Sequence, residues 1–226
     1  DKIPRFEYIK REHEKIEDTI RSVERKSDDK MNVLTNEDIP SRNPYYRYVL
    51  EEMCGGITHK EFQDTKITRS QNAMDYIEWN GGNYKDVSKW MYKQGYTKLA
   101  ERCMVMDKKL SEGGNIMRKI CHFPKGTIGA FVGHMPKHLT HPDEDRYLTL
   151  RECLSIMKLP KDFKLQGGVK NLNHICQNVP VTTAEDMAVH VEKFVDGRLS
   201  NQLLSTDFLI QDNTNHKLNF EKNSVQ

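Results

Sequence analysis

YLTLRECLSIMKLP, residues 147–160, carries its own start and stop signals, and the reading of the fold grows out from it. Thr149 followed three residues later by Glu152 is a capping box. The threonine oxygen takes an otherwise unpaired N–H of the first turn, and the glutamate reaches back to the threonine N–H. Leu150, Leu154 and Met157 recur at i, i+4 and i+7, one apolar stripe of a helix. Pro160 has no N–H to continue the ladder and stops the helix at about 159.

Upstream, YKDVSKWMYKQGYTKLAERCMVMDKKL, 84–110, is the most helical segment. Val87, Trp90 and Met91 mark one apolar face, Leu99, Cys103, Met106 and Leu110 another, and Gly95 ends the first of two helices. The aromatic and methionine stripe reads as core. Residues 12–27 place Ile16, Ile20 and Val23 at helical spacing, and 45–53 suggest a further helix ended by Gly55-Gly56. Residues 28–42 read as a loop, 57–80 follow no clear period, and Gly81-Gly82 is a turn. From 111 to 142, glycines, short apolar runs and basic residues alternate, the composition of irregular strands and loops that carry contacts. Downstream, GGVKNLNHICQ (167–177) leads into a last helix starting at Thr183 with Asp186 or at Thr182 with Glu185. That helix is expected to bury Met187, Val191 and Phe194/Val195 and to end at Gly197.

The chain has 226 residues, 36% hydrophobic and 30% charged, enough for one core or two small lobes. No apolar run approaches membrane-spanning length. DKIPRFEYIK at the start has no apolar segment of a signal peptide, and its lack of an initial methionine suggests a piece of something longer. Five cysteines, an odd number without CxxC spacing, point to reduced thiols rather than a disulfide framework or zinc site. His134 and His138 are four apart, but Pro136 lies between them, and no metal is expected there. The net charge of +2 is uneven: 84–140 hold eleven Lys/Arg against four Asp/Glu, while 1–52 hold eleven against thirteen. A basic middle suits a polyanion partner, although a solvated basic face gives the same count.

Two blocks then stand out. HPDEDRYLTLRECLSIMKLPKDF, 141–163, resembles the ninth conserved block of the DNA cytosine-5 methyltransferases: His-Pro, an acidic patch, Arg, Leu-Thr-x-Arg-Glu, a helix and Pro-x-x-Phe. NHICQNVPVTTAEDMA, 173–188, is similar to their last block, and the two follow in the right order at the right distance. IPRFEYIKREHEKIEDTIRSVE resembles the stretch leading into their target-recognition region. Together the two blocks cover about 40 residues. Departures are present: Cys176 and Gln177 stand where the family has glycine and asparagine, and Ser155, Met157 and Lys158 replace Arg, Gln and Gly.

The resemblance implies an α+β fold: a small mixed target-recognition domain with C-terminal helices that dock on a Rossmann-like S-adenosylmethionine domain absent here. It divides the chain into an entry segment and helix (1–27), a recognition domain (28–163), the last block and its helix (164–199) and a polar tail (200–226). It implies methyl transfer from S-adenosylmethionine to C5 of cytosine in duplex DNA, in the cytoplasm of a bacterial or phage-infected cell, within restriction–modification. The reaction needs a thiolate to add to C6 of a flipped base. The family's nucleophile follows a proline, and this chain has no Pro-Cys, no Glu-Asn-Val and no Phe-x-Gly-x-Gly. Cys176, preceded by Ile175, is therefore not the nucleophile, and the catalytic half is a partner, in the same chain or another. The resemblance places Gln177, Asn178 and Val179 beside the cofactor, and gives Arg151 and Glu152 a structural role. The candidates for DNA contact are Gly113, Gly114, Arg118, Lys119, Lys125, Thr127 and Lys137; turn glycines and solvated lysines are the plainer reading of each. The alternative is a non-enzymatic DNA-binding or regulatory remnant of a methyltransferase. A helical interaction module without a DNA role is the third.

Overall fold

A computed structural model of the chain describes residues 12, 14–133 and 135–198. It divides into two compact units, His13–Asn178 and a second formed by Asp1–Glu12 and Val179–Gln226. His134, most of the entry segment and the tail lie outside the described residues.

The larger unit is mixed and helix-rich with one small sheet, an α+β architecture. Helix α1 (Ile16–Arg21) buries Ile16 and Ile20, as its stripe demands. It is shorter than the spacing suggests: Lys15 offers no side-chain cap, and the Ser22 hydroxyl bonds back to the Thr19 carbonyl. Helix α2 (Pro44–Tyr48) starts on Asn43, which accepts from the Tyr45 N–H, and runs into a π-helical turn, Val49–Met53. Gly55 and Gly56, both at positive φ, close it.

Residues 57–80, without a clear period, hold two helices after all. Helix α3 (His59–Thr65) is capped by Thr58 with Glu61, and α4 (Ala73–Trp79) by Asn72 with Asp75. Between them, β1 (Gln71–Asn72) pairs antiparallel with β2 (His122–Phe123), Gln71 opposite Phe123. Helices α5 (Tyr84–Lys93) and α6 (Thr97–Ser111) form a helical hairpin about Gly95 at φ +81°. Val87, Met91, Ala100 and Cys103 fill its seam, and the Ser88 hydroxyl donates to the Ala100 carbonyl. Helix α7 (Leu150–Ile156) follows the Thr149–Glu152 box, and α8 (Asn173–Cys176) is a single turn.

Two apolar clusters hold this unit together. One gathers α2 to α6 around Tyr46, Phe62 and Phe123, whose ring centroids lie 4.7–5.2 Å apart. The other packs α1, Leu139 and Leu148 against α7, with Leu172 from the approach to α8 and Ile175 from α8 itself.

In the smaller unit, α9 (Val181–Val195) begins after Pro180 with no side-chain cap, so neither Thr182 nor Thr183 plays that part. Met187, Val191 and Val195 stand exposed rather than buried, while His190 is buried. Among the described residues of this unit, α9 is the one helix and has no second element of its own to cover that stripe. Among the described residues no helix is long and apolar enough to cross a membrane.

Candidate nucleic-acid interface

The 141–163 stretch is built around buried charge. Glu152 is 1% exposed and uses both oxygens. Arg146 forks onto it at 2.8 and 2.9 Å, and the Thr149 N–H donates to it at 2.7 Å. Burial opposes the charge on Arg146, but Glu152 and then Glu144 more than offset it, so its pKa is raised. Arg151, on the same helix, donates to Asp29 at 2.6 and 3.2 Å, and its N–H donates to the Met31 carbonyl. That hydrogen bond holds the Asp29 carboxyl below its usual range. Arg151 and Glu152 thus fasten α7 to the chain on both sides.

The acidic turn after His141 is tied down as well. Asp143 accepts from Arg21 at 2.8 and 2.9 Å and from Lys60 at 3.1 Å. The Arg21 contact, ahead of Lys60, keeps the Asp143 carboxyl well below the usual carboxylate range. A cleft of about 770 Å³ opens beside it, lined by Arg42, Arg47, Lys60, Tyr96, Asp143 and Asp145 among others. It mixes both signs of charge and shows no preference for an anion.

The DNA-contact candidates divide into three groups. Ser70 holds one group: its hydroxyl donates to the Lys125 and Thr127 carbonyls and accepts from the Lys125 N–H. Two residues on, the Asn72 amide donates to the Arg118 carbonyl, so 118–127 runs beside 70–73. Arg118, Lys119, Lys125 and Thr127 therefore lie on one stretch, 118–127, on either side of β2. Lys119 is exposed, whereas Arg118 is committed to Glu78 through two bonds of 2.7 and 2.8 Å. Gly113 and Gly114 form the second group and end α6. Gly113 sits at φ +77°, and the Gly114 N–H closes onto the Lys109 carbonyl. A Cβ on Gly114 would lie 2.9 Å from that carbonyl oxygen. Lys137 is the third: it belongs to the turn Met135–His138, is held through its carbonyl by Asn36, and shares none of that stretch's contacts.

Sequence reasoning passed over one feature of this surface. The guanidinium of Arg69 lies over the indole of Trp79 at 4.0 Å from the ring centroid, and both residues are exposed. The only available signal was a tryptophan just ahead of Gly81-Gly82.

Comparison of the chain with protein-family models, with curated proteins and with solved structures found no match.

The cofactor candidates are more scattered. Gln177 and Asn178 are exposed at the end of α8, and the Asn178 amide already donates to the His174 carbonyl. Val179 is exposed and belongs to the other unit. The Cys176 thiol donates to the Gly133 carbonyl at 3.2 Å, and burial pushes its pKa up. A nucleophilic thiol needs the opposite shift.

Proposed function

We propose that this chain is the target-recognition and C-terminal part of a DNA cytosine-5 methyltransferase, with the catalytic cysteine supplied by another polypeptide segment. The observation that carries the reading is the 141–163 block. Its signature residues work together: Thr149 caps α7 with Glu152, Arg146 neutralises that glutamate, and Arg151 reaches Asp29. The raised pKa of Cys176 supports the second clause, because a thiol kept protonated cannot open the reaction.

In this reading the group beside β2, Arg69, Lys119, Lys125 and Thr127, meets the DNA, with the Lys125 ammonium leaving the Gln63 carbonyl to do so, and Arg118 stiffens the surface behind it. Gln177, Asn178 and Val179 would meet S-adenosylmethionine only together with the catalytic segment that this reading supplies from elsewhere. The reading assigns them at most one edge of its site. No step of the transfer belongs to this chain; its part is to bind and orient the duplex.

The test is a gel shift of a mixed-sequence duplex by this chain at low and moderate salt. About four phosphate contacts give a slope of roughly −3.6 in log affinity against log salt, about a hundredfold loss between 50 and 200 mM. Absence of any shift at 50 mM overturns the reading. Methyl incorporation by this chain alone, lost in Cys176→Ser, overturns the division of labour. A shift without any Pro-Cys partner that restores methyl transfer favours the non-enzymatic remnant.

A further inference from the structure

We infer that Arg69 and Trp79 form a stacking platform for an unpaired nucleobase. The inference rests on the proposed DNA-binding role for its partner. The chain has two tryptophans, and they are treated oppositely. Trp90 is 5% exposed in the aromatic core, whereas Trp79, the last residue of α4, is 49% exposed. Leaving half an indole in water forgoes burial that the core could use. The ring is nevertheless held, with the Arg69 guanidinium at 4.0 Å over it.

The charge around the platform selects the partner. Of the nearby acids, Glu78 pairs with Arg118 at 2.7 Å, while Asp75, 3.8 Å from Arg118, also acts weakly on Arg69. Arg69 and Lys119 stand exposed, and Ser70 fastens the Lys125–Thr127 backbone next to Arg69. A flat aromatic and guanidinium surface with a basic margin fits a planar base carried on a phosphate backbone. Inside a duplex each base is covered on both faces by its neighbours. The platform can therefore serve only a base that has left the stack, at an end, a gap or a flipped position.

Tryptophan fluorescence tests this directly, with Trp79→Phe showing which part of the signal belongs to position 79. The wild-type protein and Trp79→Ala are titrated with a short oligothymidylate, with an abasic deoxyribose-phosphate strand and with a paired hairpin whose loop is a base-free polyether linker. Circular dichroism checks that each variant folds. The expected result is quenching of Trp79 by the oligothymidylate and not by the abasic strand. Trp79→Ala should weaken single-strand binding by roughly 5- to 100-fold while hairpin affinity changes by less than about twofold. Equal quenching by the abasic strand, or unchanged oligothymidylate affinity in Trp79→Ala, overturns the platform. If the hairpin shifts but the oligothymidylate does not quench, the platform fails and the methyltransferase reading survives. If the oligothymidylate quenches but no duplex shifts, the platform survives and the reading fails.

Discussion

Glu152→Gln is the substitution that probes the heart of the 141–163 block. Both carboxylate oxygens are in use: three hydrogen bonds of 2.7 to 2.9 Å reach them, two from Arg146 and one from the Thr149 N–H. The amide keeps the size but removes the charge, and it turns an NH₂ toward a guanidinium that can only donate. Removing one member of a buried pair costs about 3–5 kcal/mol, because the other charge stays buried. Glu144 limits the damage, since it also accepts from Arg146 at 2.9 Å, although it is half exposed. The expected loss is therefore near the lower end, about 3 kcal/mol, or roughly 6–12 °C in Tm for a chain of this size. Arg146→Met made together with Glu152→Gln removes the stranded charge. The double variant should recover about 2 kcal/mol of the summed single losses. Urea unfolding of the four proteins measures the cycle. A loss under about 1 kcal/mol for Glu152→Gln, or strict additivity, refutes the claim that this pair organises α7.

Other expectations follow from particular residues. His122 is held neutral by burial and then by the His138 charge, with a pKa lowered to about 4. The folded protein therefore binds fewer protons there than the unfolded chain. That share of stability is intact above about pH 6.5 and is lost as pH falls toward 4. Urea midpoints at pH 7.5 and 5 should fall less in His122→Gln than in the wild type, and an equal fall would exclude His122 as the cause. Asp143, its pKa depressed chiefly by Arg21, contributes above about pH 4 and loses that contribution as pH falls further. Its partners are partly exposed, so Asp143→Asn should cost under about 1 kcal/mol at pH 7 and nothing below the acid transition; a cost unchanged by acid would contradict this. Gly113→Ala should cost about 1 kcal/mol through its positive φ and leave DNA affinity unchanged, whereas a fall in affinity of the folded variant would return Gly113 to the interface. Cys176, with its raised pKa, should react with iodoacetamide at pH 7 more slowly than a free thiol; faster reaction would restore it as a candidate nucleophile.

What the sequence determined is what a few neighbouring residues can enforce. The Thr149–Glu152 box, the Gly95 turn between α5 and α6, and the apolar stripe of Val87 and Met91 all act within about two helical turns, and each was legible; that the stripe meets Cys103 of α6 was not. Thr58–Glu61 and Asn72–Asp75 obey the same capping chemistry, but their helices show no apolar stripe of the kind that Leu150, Leu154 and Met157 give α7. Other features needed the folded chain. The strands are two residues each and lie about fifty residues apart, so no alternation could reveal them. Arg151 meets Asp29 across 122 residues, and Arg118 meets Glu78 across 40. The second contact shows why a basic residue read from sequence need not be a free one. Of the candidate DNA contacts, residue type could nominate Lys119, Lys125 and Thr127, but only the pairing of 70–73 with 118–127 set them on the two sides of β2. Trp90 falls on the Val87–Met91 face that periodicity reads as core, whereas Trp79 lies in 57–80, where no clear period assigns it a side. That Trp79 lies at the surface under Arg69 was decided by long-range packing, because burial depends on what the rest of the chain brings to each face.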